Sequence, residues 1–236
     1  MNKQSNLYTV IYIIVLVVVV GAALAFTSLS LRDRQQENVN ADKMGQILAS
    51  VHIPTDRANV TETFKNVVIE QYIINSRGER VEGNAFDVDV AAQVKLKDNQ
   101  RQLPVYVCRT GDDNSLKYVL PMYGAGLWGP IWGYIAMDSD GATVYGAFFA
   151  HQGETPGLGA EIEKPAFSDQ FDGKSMMKDN EFTPVAVIKK GQKPVGNEDY
   201  VDGISGGTIT STGVSNMIAN SLRPYQAFLK SLNTSK

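Results

Sequence analysis

Residues 131–149 read IWGYIAMDSDGATVYGAFF, and this stretch decides the fold. Two apolar segments, Ile131–Met137 and Thr143–Phe149, flank the sequence DSDG at 138–141. Asp, Ser and Gly are typical of tight turns, and two apolar segments joined by such a turn indicate a β-hairpin. The sequence therefore predicts an antiparallel sheet.

Further strands are predicted on both sides of this hairpin. A period of two at Phe86, Val88 and Val90 indicates a half-buried strand. Other segments of strand character are Tyr72–Ile74, Val105–Cys108, Tyr118–Leu120 and Val185–Ile188. Residues 168–182 (SDQFDGKSMMKDNEF) are polar and predict an exposed loop.

Apolar residues three and four positions apart predict helices before and after the sheet. These stripes fall within residues 44–51, 60–68, 214–222 and 225–232. Asp42 is a candidate N-cap for the first helix, and Pro224 kinks or divides the last two. The elements together predict one α+β domain with an antiparallel sheet and flanking helices.

The N-terminal part has a different character. Leu7–Phe26 is a run of 20 residues without a charge, long enough as a helix of about 30 Å to span a bilayer core. A cleaved signal peptide is the alternative, because the sequence ALA at 23–25 has the form of a cleavage site. We favour a retained anchor, since only Lys3 precedes the run and the run is longer than a usual signal peptide. The arginines of the polar lead-out 31–42 would, by charge alone, place the following domain in the cytoplasm.

Composition narrows the class of protein. The chain has 236 residues, of which 43% are hydrophobic and 20% charged, as in ordinary globular proteins, so wholesale disorder is excluded. A net charge of −3 argues against a nucleic-acid partner. One Cys and two His cannot complete a closed structural zinc site, and we expect no metal.

Two glycine motifs match known site patterns without their context. The sequence GAGLWG at 124–129 fits a dinucleotide-binding pattern, but the residues that follow indicate a turn and a strand instead of the required helix. The sequence GISGG at 203–207 fits a hydrolase elbow, but no Asp, Glu or His follows Ser205 to complete that triad. We therefore reject both enzyme classes.

Two other segments indicate a ligand site. Residues 151–159 (HQGETPGLG) form an irregular loop that would let a planar ligand approach the backbone, although a purely structural turn is the alternative. Residues 202–211 (DGISGGTITS) place small residues before Thr208 at the predicted start of a helix, where a phosphate would be favoured. Trp128 and Trp132 lie among glycines, either as core residues or as aromatic neighbours of a flavin ring.

The chain resembles a known family. An N-terminal span, GLWGPIWGYIAMD, HQGETPGLGAEI and DGISGGTITSTGV follow one another as in the C subunit of the sodium-translocating NADH:quinone reductase, whose members carry an FMN-binding domain. The resemblance covers essentially the whole chain, and the pairing of the last two motifs is specific. It implies that a flavin transferase joins FMN to Thr208 through a phosphoester. Gly207 stands where the family pattern has Ala, and we expect this small-for-small change to preserve the modification.

The resemblance also implies the rest of the site. The isoalloxazine would be bordered by Glu154, Thr155, Gly157, Leu158 and Gly159, with Trp128 nearby. The phosphate end would be lined by Ser205, Gly206 and Gly207. No residue is expected to act as a catalytic acid or base. The chain would pass electrons between the iron-bearing part of the complex and the flavin of a neighbouring membrane subunit, without binding NADH itself.

Location and domain limits follow from the same resemblance. It implies a single-pass protein of the bacterial inner membrane, embedded beside the other subunits, with its large domain in the periplasm. We expect an anchor at 1–31, a helical lead-in at 32–84 and the FMN-binding domain at 85–236. Two alternatives stay open: the G subunit of an Rnf-type ferredoxin:NAD oxidoreductase, and a membrane-anchored binding module without redox function.

Overall fold

The computed structural model describes residues 6–110 and 114–233. The chain divides into two compact units, Met1–Lys43 and Met44–Lys236. The helices are α1 (Asn6–Ala49), α2 (Val60–Val67), α3 (Val90–Gln93), α4 (Pro165–Ser168), α5 (Thr208–Leu222) and α6 (Gln226–Asn233). The strands are β1 (Val68–Ile74), β2 (Arg80–Val81), β3 (Leu103–Thr110), β4 (Ser115–Ala125), β5 (Pro130–Asp138), β6 (Val144–His151), β7 (Met177–Lys178), β8 (Glu181–Phe182), β9 (Ala186–Ile188) and β10 (Tyr200–Asp202).

Helix α1 contains the apolar run at the N-terminus. Within the described residues, it is the helix long and apolar enough to cross a membrane, judged by length and composition. The helix continues through the polar stretch 31–42, where a separate lead-out was expected, because that stretch contains neither Gly nor Pro to end it. Asp42 therefore lies inside the helix, and the prediction that it caps a new helix is wrong.

The second unit is built on a six-stranded antiparallel sheet in the order β2-β1-β3-β4-β5-β6. The predicted hairpin is confirmed as β5 and β6, with Ile135 opposite Ala147. Strand β1, which comes from the predicted lead-in, pairs with β3 in this same sheet. The predicted domain limits after residues 31 and 84 stay predictions.

Helix α5 packs against β4 at glycines. A Cβ on Gly213 would lie 2.4 Å from the carbonyl oxygen of Ala125, and one on Gly124 would lie 2.7 Å from Cβ of Met217. A side chain at either position would push the helix off the sheet, so the two glycines permit the close packing. The predicted apolar stripe of α5 is confirmed as buried at Val214, Met217, Ile218 and Leu222. The start of α5 is thereby fixed beside the end of β4.

The prediction of a strand at Phe86–Val90 is wrong. Ala85–Asp87 forms a 3₁₀ turn and α3 begins at Val90. Two polar side chains cap these turns, because Asn84 accepts a hydrogen bond from the backbone N–H of Phe86 and Asp89 accepts one from that of Ala92. Of the two aspartates that produce the period of two, Asp89 caps α3 and Asp87 accepts from the side chain of Asn84, so the alternation does not reflect two faces of a strand.

The prediction of an exposed loop at 168–182 is also partly wrong. Phe171 and Met176 are fully buried, and Phe171 packs with its ring centroid 5.0 Å from that of Phe149 on β6. Strand β9, in the predicted strand Val185–Ile188, pairs in parallel with β10 outside the main sheet. This small sheet leads directly into the turn before α5.

Candidate functional site

The turn between β10 and α5 is built from small residues. Gly203 donates a backbone hydrogen bond to Ile188 at 2.6 Å, and Gly206 adopts a positive φ of 74°. Gly207 precedes the helix and offers no side chain to cap it. Thr208 is the first residue of α5 and is exposed, so its hydroxyl lies at the positive end of the helix dipole.

Two clefts meet at Thr208. The first, here called the glutamate cleft, has a volume of about 220 Å³. It is lined by Leu127, Glu154, Thr155, Leu158, Gly159, Gly206, Gly207, Thr208, Ile209 and Thr210. The second, here called the lysine cleft, has a volume of about 290 Å³. It is lined by Val187, Lys189, Lys190, Gly203, Ile204, Ser205, Gly206, Thr208, Ser211 and Thr212.

Glu154 is the centre of the glutamate cleft. Glu154 is only 4% exposed, and both of its carboxylate oxygens accept hydrogen bonds. Oε1 accepts from the backbone N–H of Trp128 at 2.9 Å, and Oε2 accepts from Oγ1 of Thr210 at 2.5 Å. A Cβ on Gly126 or on Gly159 would lie 2.4 Å or 2.3 Å from these oxygens, so both positions need glycine. One carboxylate thus ties the turn before β5 to the first turn of α5.

The pKa of Glu154 lies below the usual value. Burial alone would raise this pKa, because it penalises the charged form. Hydrogen bonds from Thr210 and from the backbone of Trp128 and Leu127 outweigh burial, with a further contribution from the charge of His151. The site therefore holds a buried negative charge at neutral pH.

The rim of the glutamate cleft is apolar and open to solvent. Leu127, Leu158 and Ile209 line the cleft and are 47%, 41% and 59% exposed. Trp128 is 69% exposed beside Leu127. Exposed apolar side chains grouped around a cleft are typical of a binding surface for an apolar ligand or partner.

The structure brings most of the predicted site residues together. Seven line the glutamate cleft: Glu154, Thr155, Leu158, Gly159, Gly206, Gly207 and Thr208. Ser205 lines the lysine cleft. Gly157 and Trp128 line neither cleft. Gly157 is exposed in the loop and has a φ of 75°. Trp128 contributes to the site through its backbone N–H, which donates to Glu154. Trp132 is half-buried and donates from its ring to Gln46.

Sequence reasoning missed part of the lining. The residues not predicted include Leu127, Lys189, Lys190, Ile209 and Thr210. For three of these residues the only sequence signal was adjacency, since Leu127 precedes Trp128, and Ile209 and Thr210 follow the predicted acceptor Thr208. The lysine pair carried no signal, because it reaches the cleft through the pairing of β9 with β10. The rejected GAGLWG motif is confirmed as the β4–β5 connection, in which Gly126 donates to Gly129 at 2.8 Å.

These features suit a ligand with an anionic end and a planar apolar part. A helix start and two lysines favour a phosphate, and small residues beside Thr208 leave its hydroxyl accessible. The apolar rim and the glycine-lined loop suit the face of an aromatic ring. The fold and site thus define a class, the FMN-binding domains, and residues 126–223 match the family model described as "FMN-binding domain". This range contains every residue that lines either cleft.

Relatives narrow the class further. The C subunit of the Na(+)-translocating NADH-quinone reductase of Vibrio vulnificus is 36% identical over 219 residues, which cover 84% of this chain and 85% of the relative. The crystal structure of the corresponding protein from Parabacteroides distasonis superposes with a TM-score of 0.79 at 48% identity, covering 84% of this chain and 96% of that chain. Shewanella oneidensis NqrC superposes with a TM-score of 0.69 at 25% identity, covering 84% of this chain and 100% of that chain.

The chain belongs to the family formed by the C subunits of the Na(+)-translocating NADH-quinone reductases. The α+β fold with a long apolar N-terminal helix is the fold of those structures. The relatives are subunits of an oxidoreductase complex, which confirms the family that the sequence motifs indicated.

Proposed function

We propose that this chain carries FMN covalently on Thr208 and transfers electrons within a Na(+)-translocating NADH-quinone reductase. The observation that carries the proposal is the exposed hydroxyl of Thr208, which lies at the first position of α5 where the two clefts meet. A phosphoester formed there would leave the flavin free to enter the adjoining glutamate cleft.

Three neighbouring hydroxyls of α5 are poorer acceptors than Thr208 because they are already hydrogen-bonded. Thr210 is buried and donates to Glu154 at 2.5 Å. Thr212 donates to the carbonyl of Thr208 at 3.0 Å, and Ser211 is 5% exposed and accepts from the backbone of Ile204 at 2.9 Å. A flavin transferase would therefore meet Thr208 as the accessible threonine of this turn, in agreement with the acceptor that the family resemblance implies.

The two clefts would bind different parts of FMN: the lysine cleft the phosphate, and the glutamate cleft the ring. Backbone N–H groups at the start of α5 and the charges of Lys189 and Lys190 would offset the negative phosphate. Leu127, Leu158 and Ile209 would cover the apolar ring, with the ETPGLG backbone beside it. The flavin supplies the redox chemistry when bound, and the protein holds it, limits its contact with water and sets its potential.

The wider setting is proposed from the family. The partners would be the other subunits of the reductase, and a flavin transferase would act during maturation. Electrons would pass between the iron-bearing part of the complex and the flavin of a neighbouring membrane subunit. The α1 span would anchor the chain in the inner membrane with the FMN-binding domain in the periplasm, although the arginines after the span favour the opposite orientation.

The attachment is tested by intact mass and peptide mapping of protein purified from its native membrane. We expect a gain of one FMN less one water, located on Thr208, and in-gel flavin fluorescence. Thr208→Ala should abolish both signals, whereas Ser215→Ala, which removes a hydroxyl two turns further along α5, should retain both. Covalent flavin persisting in Thr208→Ala would overturn the assignment.

A further inference from the structure

Glu154 is an unusual residue to find buried in the wall of the glutamate cleft. A carboxylate that is 4% exposed loses most of its hydration, and such a charge is costly to bury. A neutral side chain of the same shape would avoid this cost. The chain nevertheless surrounds the carboxylate with groups that stabilise its charged form.

Those groups come from separate parts of the sequence. Trp128 lies in the turn before β5, Glu154 lies after β6, and Thr210 lies 56 residues further on in α5. Both carboxylate oxygens are occupied by donors, and Gly126 and Gly159 leave only enough room for them. No ion pair joins Glu154 to a cation within residues 6–110 and 114–233, so its charge is stabilised mainly by hydrogen bonds, with a smaller contribution from His151.

We propose that Glu154 is a positioning residue whose buried negative charge lowers the reduction potential of the flavin in the glutamate cleft; this inference rests on the proposed function. Reduction transfers an electron from the donor of the complex to the flavin, and no bond to Glu154 forms or breaks. A fixed anion lining the cleft disfavours the added negative charge, so the oxidised flavin is favoured. Because Glu154 is buried, the effect of its charge is screened less than that of a charge at the open surface.

The substitution Glu154→Gln separates charge from geometry. The amide oxygen can accept from the backbone of Trp128, while the amide nitrogen can donate to the hydroxyl of Thr210, which is free to rotate and accept. The variant should therefore fold and carry covalent flavin, as the protein without the substitution does. Its flavin midpoint potential, measured by spectroelectrochemical titration of the protein purified with covalent flavin, should shift upward.

A matched control removes one negative charge nearby without touching the cleft. Glu163 is exposed and lies in the turn after the same loop, where it accepts from the backbone of His151 at 3.2 Å. Glu163→Gln should leave the potential unchanged. An equal upward shift in both variants would overturn a specific role of Glu154, as would no shift in Glu154→Gln.

A second variant predicts the opposite sign. Thr210→Val keeps the shape of the side chain but removes the donor at 2.5 Å, so the charge of Glu154 is less compensated and the flavin potential should fall. A merely structural role would move both potentials in one direction, and that result would overturn the proposal. If the protein without substitutions carries no flavin on Thr208, the proposed attachment is overturned. If it carries flavin but the two variants do not shift the potential in opposite directions, only the role of Glu154 is overturned.

Discussion

The two clefts that meet at Thr208 are built in opposite ways. The glutamate cleft is fixed by a buried carboxylate whose hydrogen bonds join two loops and a helix. The lysine cleft is bordered by Lys189 and Lys190, both exposed at the end of β9. The hydroxyl of Thr208, the proposed acceptor, therefore lies between a buried anionic site and an exposed cationic one.

The difference in construction leads to different consequences of mutation. Changes in the glutamate cleft disturb buried contacts, so they should alter stability and the environment of the flavin together. Changes in the lysine cleft affect solvated charges, which contribute little to stability but attract an anionic ligand. Mutations on the two sides should therefore differ in whether they change stability or the attraction of an anionic ligand.

The largest effect is expected for Gly159→Ala. Its Cβ would lie 2.3 Å from Oε2 of Glu154 and 2.5 Å from Oγ1 of Thr210, so the central hydrogen bond must break or shift. Overpacking and a lost hydrogen bond to a buried charge each cost about 1–3 kcal/mol, and we expect a loss of about 2–4 kcal/mol in the free energy of unfolding. Denaturant unfolding measures it.

Gly153→Ala is the control for this prediction. The position lies in the same loop, and a Cβ there would meet no atom within 4 Å. We expect a change of less than about 0.5 kcal/mol, as at ordinary surface positions. Similar losses in the two variants would show that the loop tolerates no side chain at all, which would contradict a specific constraint around Glu154.

The second effect concerns the pH dependence of stability. The pKa of Glu154 is lowered in the folded protein, so its charged form stabilises the fold at pH values above the unfolded value of 4.5. This contribution is lost as the pH falls through the lower folded pKa. Thr210→Val should cost about 1–3 kcal/mol at neutral pH and progressively less below pH 4.5.

Unfolding of Thr210→Val and Thr210→Ser from about pH 2 to about pH 7 checks this expectation, since the range must extend below the lowered folded pKa of Glu154. Thr210→Ser retains the hydroxyl and should stay close to the unmodified protein. A cost in Thr210→Val that is the same at every pH would mean that the lost contact is packing and not the bond to a charged Glu154.

The sequence predicted the elements whose signal is local. The β5–β6 hairpin follows from the turn sequence at 138–141, and α5 follows from its apolar stripe, so both could be predicted without tertiary information. The bond between Glu154 and Thr210 could not, because it depends on how the sheet brings residues 56 positions apart into contact. The family motifs marked both ends of this bond without indicating that they touch.

The failed predictions arose where polar residues served the backbone. The alternation at Phe86–Val90 resembled a strand because Asp87, which accepts from the side chain of Asn84, and Asp89, which caps α3, lie between apolar residues there. The polar stretch 31–42 resembled a linker, yet its residues are compatible with a helix and α1 runs through it. Polarity alone thus did not distinguish capping residues or exposed helix from strand edges and loops.

A third prediction tests the lysine cleft. The double substitution Lys189→Gln and Lys190→Gln should weaken binding of free FMN to flavin-free protein by about 3- to 10-fold per lysine, since each removed charge is worth at most about 1.4 kcal/mol. Riboflavin, which lacks the phosphate, should bind equally to both proteins. Fluorescence titration at low and high salt measures these affinities, and the difference should shrink as salt increases.

Lys193→Gln provides the matched control for the lysine pair. Lys193 lies in the same loop but does not line the cleft. Its loss should leave the affinity for FMN within about twofold, because a solvated charge outside the cleft is largely screened. If all three lysines contribute equally, the attraction is a general field of the loop and the lysine cleft has no specific role in binding phosphate.

The smallest effect is expected for Gly207→Ala, which restores the residue of the family pattern. The backbone φ of Gly207 is −105°, and a Cβ would lie 3.2 Å from Cβ of Ile204, so a shift of a few tenths of an ångström is enough. We expect about 0.5 kcal/mol or less in stability and unchanged covalent FMN by intact mass.

Gly206→Ala is the matched comparison for Gly207→Ala, because Gly206 is constrained in two ways. Its φ is 74°, and a Cβ would lie 2.7 Å from Cδ2 of Leu158 in the glutamate cleft. We expect a loss of about 1–2 kcal/mol and less flavin on Thr208. Equal flavin content in both variants would mean that the transferase acts before this turn is formed, so that the folded geometry does not select the acceptor.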